Sequence, residues 1–357
     1  MMKAYFYHTQ NLNYIQSEWE AGRFPSHLLY GASQLGKNGI DVIMHRFTRA
    51  DKPRWWRMLD VARKMLFCKE RYDAIYATKY NGMEIIIFLH ALGLFRKPII
   101  LWHHQAVPLS CNRWKNMLSR LFYRGIDKMF FFSNELMEKS LATGKVTPSQ
   151  VMQCPWGCDL DFYDRLMAAT PSEHGVFIST GKEQRDMPTL INAFAKNSNQ
   201  RLELIAPVEC CGTNYEQLFS VSNIPDNVNV TINRTLWIPG LAKLIWQAKC
   251  VCICCKETDY TVGLTTLVEA LAFGLPVIVS KNPHQPFDAS EAGCGISVEY
   301  GDTQGWDDAI KYISEHPQAA EAMGRRGRQL ADTEYNIENC AQIVSETIRD
   351  VVNNKNK

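Results

Sequence analysis

Gly263-Leu-Thr-Thr-Leu-Val-Glu269-Ala-Leu-Ala-Phe-Gly274-Leu-Pro276-Val-Ile-Val-Ser280 decides the fold of this 357-residue chain. A β-branched, cysteine-containing run ends at Cys255, and a polar loop leads to Gly263. Leu267, Val268, Leu271 and Ala272 then give a helix with an apolar face that opens near Thr265. Gly274 stops the helix, and Pro276 leads into Val-Ile-Val, a short buried strand. This is one strand–helix–strand unit of a parallel sheet. The amides at its helix start attract anions through their unpaired N–H groups and the helix dipole. Glu269, about one turn in, is the one charge among apolar neighbours: either a surface acid favouring the helix start or an acceptor for a sugar hydroxyl pair.

The same alternation runs outward in both directions. Strands are expected at 3–8, 41–45, 72–78, 98–103 and 128–133, with helices around 26–37, 52–68, 83–94, 113–124 and 134–143. Pro155 and Gly157 then interrupt the pattern. A second series follows, with strands at 175–179, 201–206, 228–232, 250–254, 276–280 and 295–298. Its helices lie around 187–196, 239–248, 265–273, 306–315, 317–333 and 337–353. Two Rossmann-like parallel-sheet domains are predicted, 1–165 and 166–340, with a C-terminal helix at 341–357 packing back toward the first. The length agrees with two domains.

Composition narrows the function. The chain is 46% hydrophobic and 21% charged, which excludes disorder. Its net charge of +2 argues against a dedicated nucleic-acid binder. That value divides into 23 Lys+Arg against 14 Asp+Glu in residues 1–165, a net of +9, and 16 against 23 in the remainder, a net of −7. The twelve cysteines, with no signal-like N-terminus, predict a cytoplasmic chain with reduced thiols. Cys250, Cys252 and Cys254 alternate with Val and Ile as small hydrophobes of a buried strand. No apolar run is long enough to span a membrane. Gly31-Ala-Ser-Gln-Leu-Gly36-Lys37-Asn38 nearly matches a phosphate-binding P-loop, but it precedes a strand and ends in Asn. No dinucleotide fingerprint follows the first strand. A redox cofactor is therefore not expected, and neither is a metal.

The segment 263–278 resembles the signature of GT-B glycosyltransferases, in particular glycosyltransferase family 4. Three other segments share the likeness: Gln153-Cys-Pro-Trp-Gly157-Cys-Asp159; Phe177-Ile-Ser-Thr-Gly181-Lys182-Glu-Gln-Arg185-Asp186; and Cys294-Gly295-Ile-Ser-Val followed by Asp302. The resemblance implies a GT-B fold, with two Rossmann-like domains facing across a cleft. It also implies transfer of a sugar from a UDP- or GDP-linked donor, generally with retention and without a cofactor. On that likeness Glu269 binds the donor ribose. Lys182 and Arg185 hold the diphosphate together with Gly181 and the 263–266 amides (Gly263, Leu264, Thr265, Thr266). Many relatives carry an acid eight positions before the ribose-binding Glu, where this chain has Thr261, so Asp259 or Glu257 is the substitute candidate.

The acceptor side rests on position alone. His103, with His104 as alternative, ends a strand of the first domain and is a candidate to meet donor sugar or acceptor; Asn11, Asn13 and Lys79 also follow strand ends. Lys52-Pro-Arg-Trp55-Trp56-Arg57 and Arg113-Trp114-Lys115 through Arg124 join aromatic and basic residues in a pattern suited to an anionic membrane surface. Ordinary packing of Trp and Arg stems is the alternative. A lipid-linked or saccharide acceptor, used in polysaccharide assembly, follows from the surface reading. A catalytically silent nucleotide-sugar-binding module and a nucleotide-sugar epimerase remain open.

Overall fold

The computed structural model describes residues 1–48, 51–171, 175–234 and 238–355. The chain divides into two compact units, residues 1–156 with 337–357, and residues 157–336. It passes from one to the other at Trp156–Gly157, ahead of the expected 165/166 boundary, which falls inside a helix of the second unit.

The first unit runs β1 (Met2–Tyr7), α1 (Leu12–Glu20), β2 (Ile40–Met44), α2 (Arg54–Leu66), β3 (Ala74–Ala77), α3 (Glu84–Ala91), β4 (Ile99–Trp102), α4 (Arg113–Arg124), β5 (Lys128–Phe131), α5 (Asn134–Ala142) and β6 (Val151–Gln153). Its six strands are parallel in the order β2-β1-β3-β4-β5-β6. The central strands β3 and β4 are short and wholly buried, as a sheet covered on both faces requires. The expected helix over 26–37 is instead two 3₁₀ segments, Ser26–Leu29 and Ala32–Asn38, broken where Tyr30 and Gly31 take left-handed conformations.

The second unit runs α6 (Leu160–Ala169), β7 (Val176–Ser179), α7 (Met187–Lys196), β8 (Leu202–Pro207), the short pair β9 (Glu209–Cys210) and β10 (Thr213–Asn214), α8 (Tyr215–Val221), β11 (Val228–Asn233), α9 (Ile238–Trp246), β12 (Ala248–Ile253), α10 (Leu264–Ala272), β13 (Val277–Ser280), β14 (Gly295–Val298), α11 (Thr303–Glu315) and α12 (Pro317–Thr333). Its main sheet is parallel in the order β11-β8-β7-β12-β13-β14. Cys250, Cys252 and Cys254 pack in the core with Phe177, Leu204 and Trp306. The last helix, α13 (Ile337–Lys355), belongs to the first unit, where Lys355 pairs with Asp127 at 2.7 Å. All twelve cysteines are free thiols. Among the described residues, no helix is long and apolar enough to cross a membrane.

Candidate functional site

In an open parallel sheet, ligands bind outside the carboxyl ends of the strands where the strand order reverses. In the second unit that point lies between β7 and β12, because β8 and β11 extend the sheet to one side and β13 and β14 to the other. The 180–186 loop leaves β7 there, and the 254–263 loop leaves β12. Antiparallel bridging of Arg185 with Cys255 joins the two, with Asp186 N–H donating to the Cys254 carbonyl at 3.0 Å and Lys256 N–H to the Gln184 carbonyl at 2.8 Å.

Arg185 is the centre of this junction and is 4% exposed. Its Nε donates to the Thr180 carbonyl at 3.0 Å, one terminal nitrogen to Cys255 Sγ at 3.0 Å, and the other to Thr266 Oγ1 at 3.3 Å. The alternative partners next to it in sequence are not used: Asp186 caps α7 through the Thr189 amide, and Glu183 accepts from Tyr260 Oη at 2.6 Å. Among the described residues no carboxylate pairs with Arg185. A buried cation without a counter-ion is costly, so this environment favours an anion.

Two glycines make room for the guanidinium. Gly181 has φ +120°, and a Cβ there would lie 2.1 Å from an Arg185 terminal nitrogen. Gly263 has φ +86°, and its Cβ would lie 2.6 Å from Ile253 Cγ2 and 3.2 Å from Arg185. Gly263 also starts α10 without a side-chain cap. The Leu264, Thr265 and Thr266 amides precede the first intrahelical bond, which Leu267 N–H makes to the Gly263 carbonyl at 3.0 Å. Gly181, Arg185 and Gly263 through Thr266 therefore meet at one point although the two loops are far apart in sequence. Lys182 lies on the same loop with its side chain exposed, and its carbonyl accepts from Tyr215 Oη at 3.2 Å.

Glu269 follows on α10 and is 8% exposed, so the surface reading is wrong. Its Oε1 accepts from Tyr163 Oη on α6 at 3.0 Å, and burial pushes its carboxyl up to about 7. Tyr163 packs edge-on against Phe273 at 4.9 Å. Glu257 and Asp259 are exposed. Thr261 donates to the His284 carbonyl at 2.6 Å, which pins the loop; Asn282 and Gln285 hold the Tyr260 and Val262 carbonyls. Tyr163, Thr180 and Cys255 join the site only through tertiary contacts, so no local sequence signal marks them.

In the first unit the preference for His103 does not survive. It is buried, its Nδ1–H donates to the Gln105 carbonyl at 2.5 Å, and its Nε2 accepts from Tyr123 Oη at 3.1 Å. Burial holds it neutral, at about 4. His104 is half-buried, donates through Nε2 to the Thr78 carbonyl at 2.9 Å, and is held at about 3 by burial and Lys79. Asn11 caps α1, while Asn13 and Lys79 are exposed. Asp159 caps α6 through the Phe162 amide, and no group of three or more His, Cys, Asp or Glu side chains forms a metal-binding set among the described residues.

No curated protein matches the chain as a relative. Solved structures share its fold over nearly their whole length. Anabaena Alr3699/HepE, solved in complex with UDP, is 15% identical with a TM-score of 0.67, covering 98% of this chain and 100% of that one. A glycosyltransferase from Rickettsia africae is 12% identical with a TM-score of 0.70, covering 99% of both chains. Sucrose-phosphate synthase from Thermosynechococcus elongatus is 16% identical with a TM-score of 0.72, covering 99% and 100%. Within the chain, residues 173–330, the segment that carries Arg185 and Glu269, match the family model described as Glycosyl transferases group 1.

Proposed function

We propose that this chain is a retaining glycosyltransferase, of the family 4 type, that moves a sugar from a nucleotide-diphosphate donor to an acceptor hydroxyl. The observation that carries the reading is the buried Arg185, with no carboxylate partner among the described residues, at the uncapped start of α10 and at the sheet's switch point. The donor diphosphate lies against the 264–266 amides and Arg185, and Lys182 closes over it from the exposed side of the loop. The free oxygen of Glu269 accepts from the ribose hydroxyls. UDP is the preferred nucleotide, because the similar Anabaena protein was solved with it; GDP is the alternative.

In the reaction the anomeric C–O bond to the diphosphate breaks, and the acceptor oxygen forms the new bond on the same face. The acceptor proton passes to the departing phosphate oxygen. Negative charge grows on the diphosphate as that bond breaks, and fixed donors stabilise it without reorganising. Arg185 and the amides supply this positive charge from the protein itself, so the reaction is proposed to need no metal ion or cofactor.

The acceptor is proposed to be a saccharide or lipid-linked sugar used in cell-surface polysaccharide or glycolipid synthesis. Support comes from α4, where Trp114, Met117 and Leu118 are 75%, 58% and 56% exposed beside Arg113, Lys115 and Arg120. Such a face suits peripheral attachment to anionic lipid on the cytoplasmic side. The decisive experiment is a thermal-shift panel of UDP-, GDP- and TDP-sugars followed by turnover assays. Stabilisation by one nucleotide and turnover lost in Glu269→Ala and Arg185→Ala are expected. Binding without turnover would mark a silent nucleotide-sugar module, and an isomerised donor would mark an epimerase.

A further inference from the structure

The first unit has a switch point of its own. Its strand order reverses between β1 and β3, with β2 to one side and β4 through β6 to the other. A cavity of about 270 Å³ opens at that point, lined by residues that follow β1, β2 and β3 and by the first turns of α2 and α3. Four of its side chains, Glu84, Arg54, Tyr7 and His45, are already committed. Glu84 pairs with Arg54 at 3.0 Å through one oxygen and accepts the Gly82 amide at 2.7 Å through the other. Tyr7 Oη donates to the Asn81 carbonyl at 2.6 Å. His45 contacts Tyr5 Oη at 2.9 Å and Thr48 Oγ1 at 3.2 Å with its two nitrogens.

Two groups remain. Arg57 has no carboxylate partner among the described residues, and its Nε is enclosed without any hydrogen bond. Among the described residues Glu84 is the only acidic side chain lining the cavity and Arg54 neutralises it, so the Arg57 charge is surplus. His8 is 8% exposed, and its Nδ1 accepts the Gln10 amide at 2.8 Å. Its Nε2 therefore carries the proton and, among the described residues, has no protein acceptor. Both groups line the same cavity, and a guanidinium fork and a neutral imidazole N–H are each suited to the oxygens of a phosphate group. The volume falls just below the range of about 300–1,000 Å³ typical of drug-sized ligands, which limits the occupant to a compact molecule.

We infer that this cavity binds a compact phosphate-bearing polyol, such as a sugar phosphate, with Arg57 and His8 holding the phosphate. Naming that ligand the acceptor rests on the glycosyltransferase reading; its binding does not. This reassigns part of the 52–57 segment: Arg54 and Arg57 line the cavity, while Trp55 is 63% exposed.

The test is calorimetric titration of the full chain with glucose 6-phosphate, glucose, inorganic phosphate and UDP, with sedimentation on phosphatidylcholine vesicles carrying phosphatidylinositol 4-phosphate. Glucose 6-phosphate is expected to saturate and glucose to bind far more weakly. Arg57→Gln should weaken glucose 6-phosphate roughly 10- to 100-fold, the loss of one charge-assisted hydrogen bond, with its melting temperature retained. His8→Gln, which keeps a donor, should weaken it less. Vesicle binding that needs Arg57, with no binding of the free sugar phosphate, would assign the phosphate to a lipid headgroup. Equal binding by Arg57→Gln, or no Arg57-dependent binding in either arm, overturns the inference. If glucose 6-phosphate binds and UDP does not, the donor reading falls and the cavity stands.

Discussion

Replacing Glu269 with Gln isolates the most informative single group in the structure. Glu269 is buried with one donor, Tyr163, and its carboxyl is raised from 4.5 to about 7 chiefly by that burial, against which the Tyr163 hydrogen bond works. Between these values the folded chain holds a proton that the unfolded chain has released. Stability contributed at this position is therefore present below about pH 4.5 and is lost as pH rises through about 7. The difference corresponds to about 3 kcal/mol at pH 8. Gln keeps the shape and the Tyr163 hydrogen bond but cannot ionise. Glu269→Gln should thus match the parent near pH 4 and exceed it by about 3 kcal/mol near pH 8.

The assay is urea denaturation of both proteins across that pH range, followed through the transition of the second unit. Parallel stability curves would refute the reasoning, because they would show that no buried acid titrates there. Nucleotide binding supplies a second readout with the opposite sign. In the proposed donor complex ribose hydroxyls donate to the ionised carboxylate, so UDP affinity should rise with pH up to about 7, by at most tenfold per pH unit. The Gln variant should bind weakly at every pH. Tyr163→Phe removes the one hydrogen bond that favours the charged form and should move both profiles to higher pH.

Three further outcomes are expected. Arg185→Lys keeps the charge but cannot reach the Thr180 carbonyl, Cys255 and Thr266 together, and donor turnover should fall roughly 100-fold; Lys182→Ala, at an exposed position, should cost less in the same steady-state assay. Gly263→Ala combines φ +86° with a Cβ 2.6 Å from Ile253 Cγ2, so thermal denaturation should show a loss of about 1–3 kcal/mol. A Trp114→Ser/Leu118→Ser pair, both exposed, should leave stability unchanged and reduce salt-sensitive sedimentation with anionic vesicles; unchanged sedimentation would remove α4 from the membrane reading.

The parallel sheets were legible because their signals are local: short apolar runs, most of them followed by a helix that opens on a side-chain cap or a glycine. The segment 263–280 carries its own start and stop, and α10 begins at Leu264, one residue before the expected position. Weak periodicity hid other elements. In α1 only Leu12 and Ile15 are buried, so its pattern is mostly polar. Helix α6 stands directly behind the Pro155–Gly157 turn, whose turn signal masks the start of the helix and with it Tyr163. Tyr163 meets Glu269 across 106 residues, and Arg185 meets Thr266 across 81; no local spacing encodes such pairs. His103 and His104 show the converse. Adjacent residues after a strand end look alike in sequence, and only packing against Tyr80 and Tyr123 commits the first to the interior.

The charge division sharpens once it follows the structural units. The first unit, 1–156 with 337–357, has 25 Lys+Arg against 14 Asp+Glu, and the second has 14 against 23, so the nets are +11 and −9. A diphosphate binding to the second unit therefore approaches a domain whose overall field opposes it. Exposed charges act through water and salt, which screen them within about 10 Å. Arg185 is buried and the α10 amides are fixed, so their attraction is screened far less at the distance of a hydrogen bond. Raising ionic strength should accordingly weaken the long-range repulsion more than the local attraction. UDP affinity in the second unit would then hold or rise with salt, opposite to the behaviour of a ligand held by surface lysines.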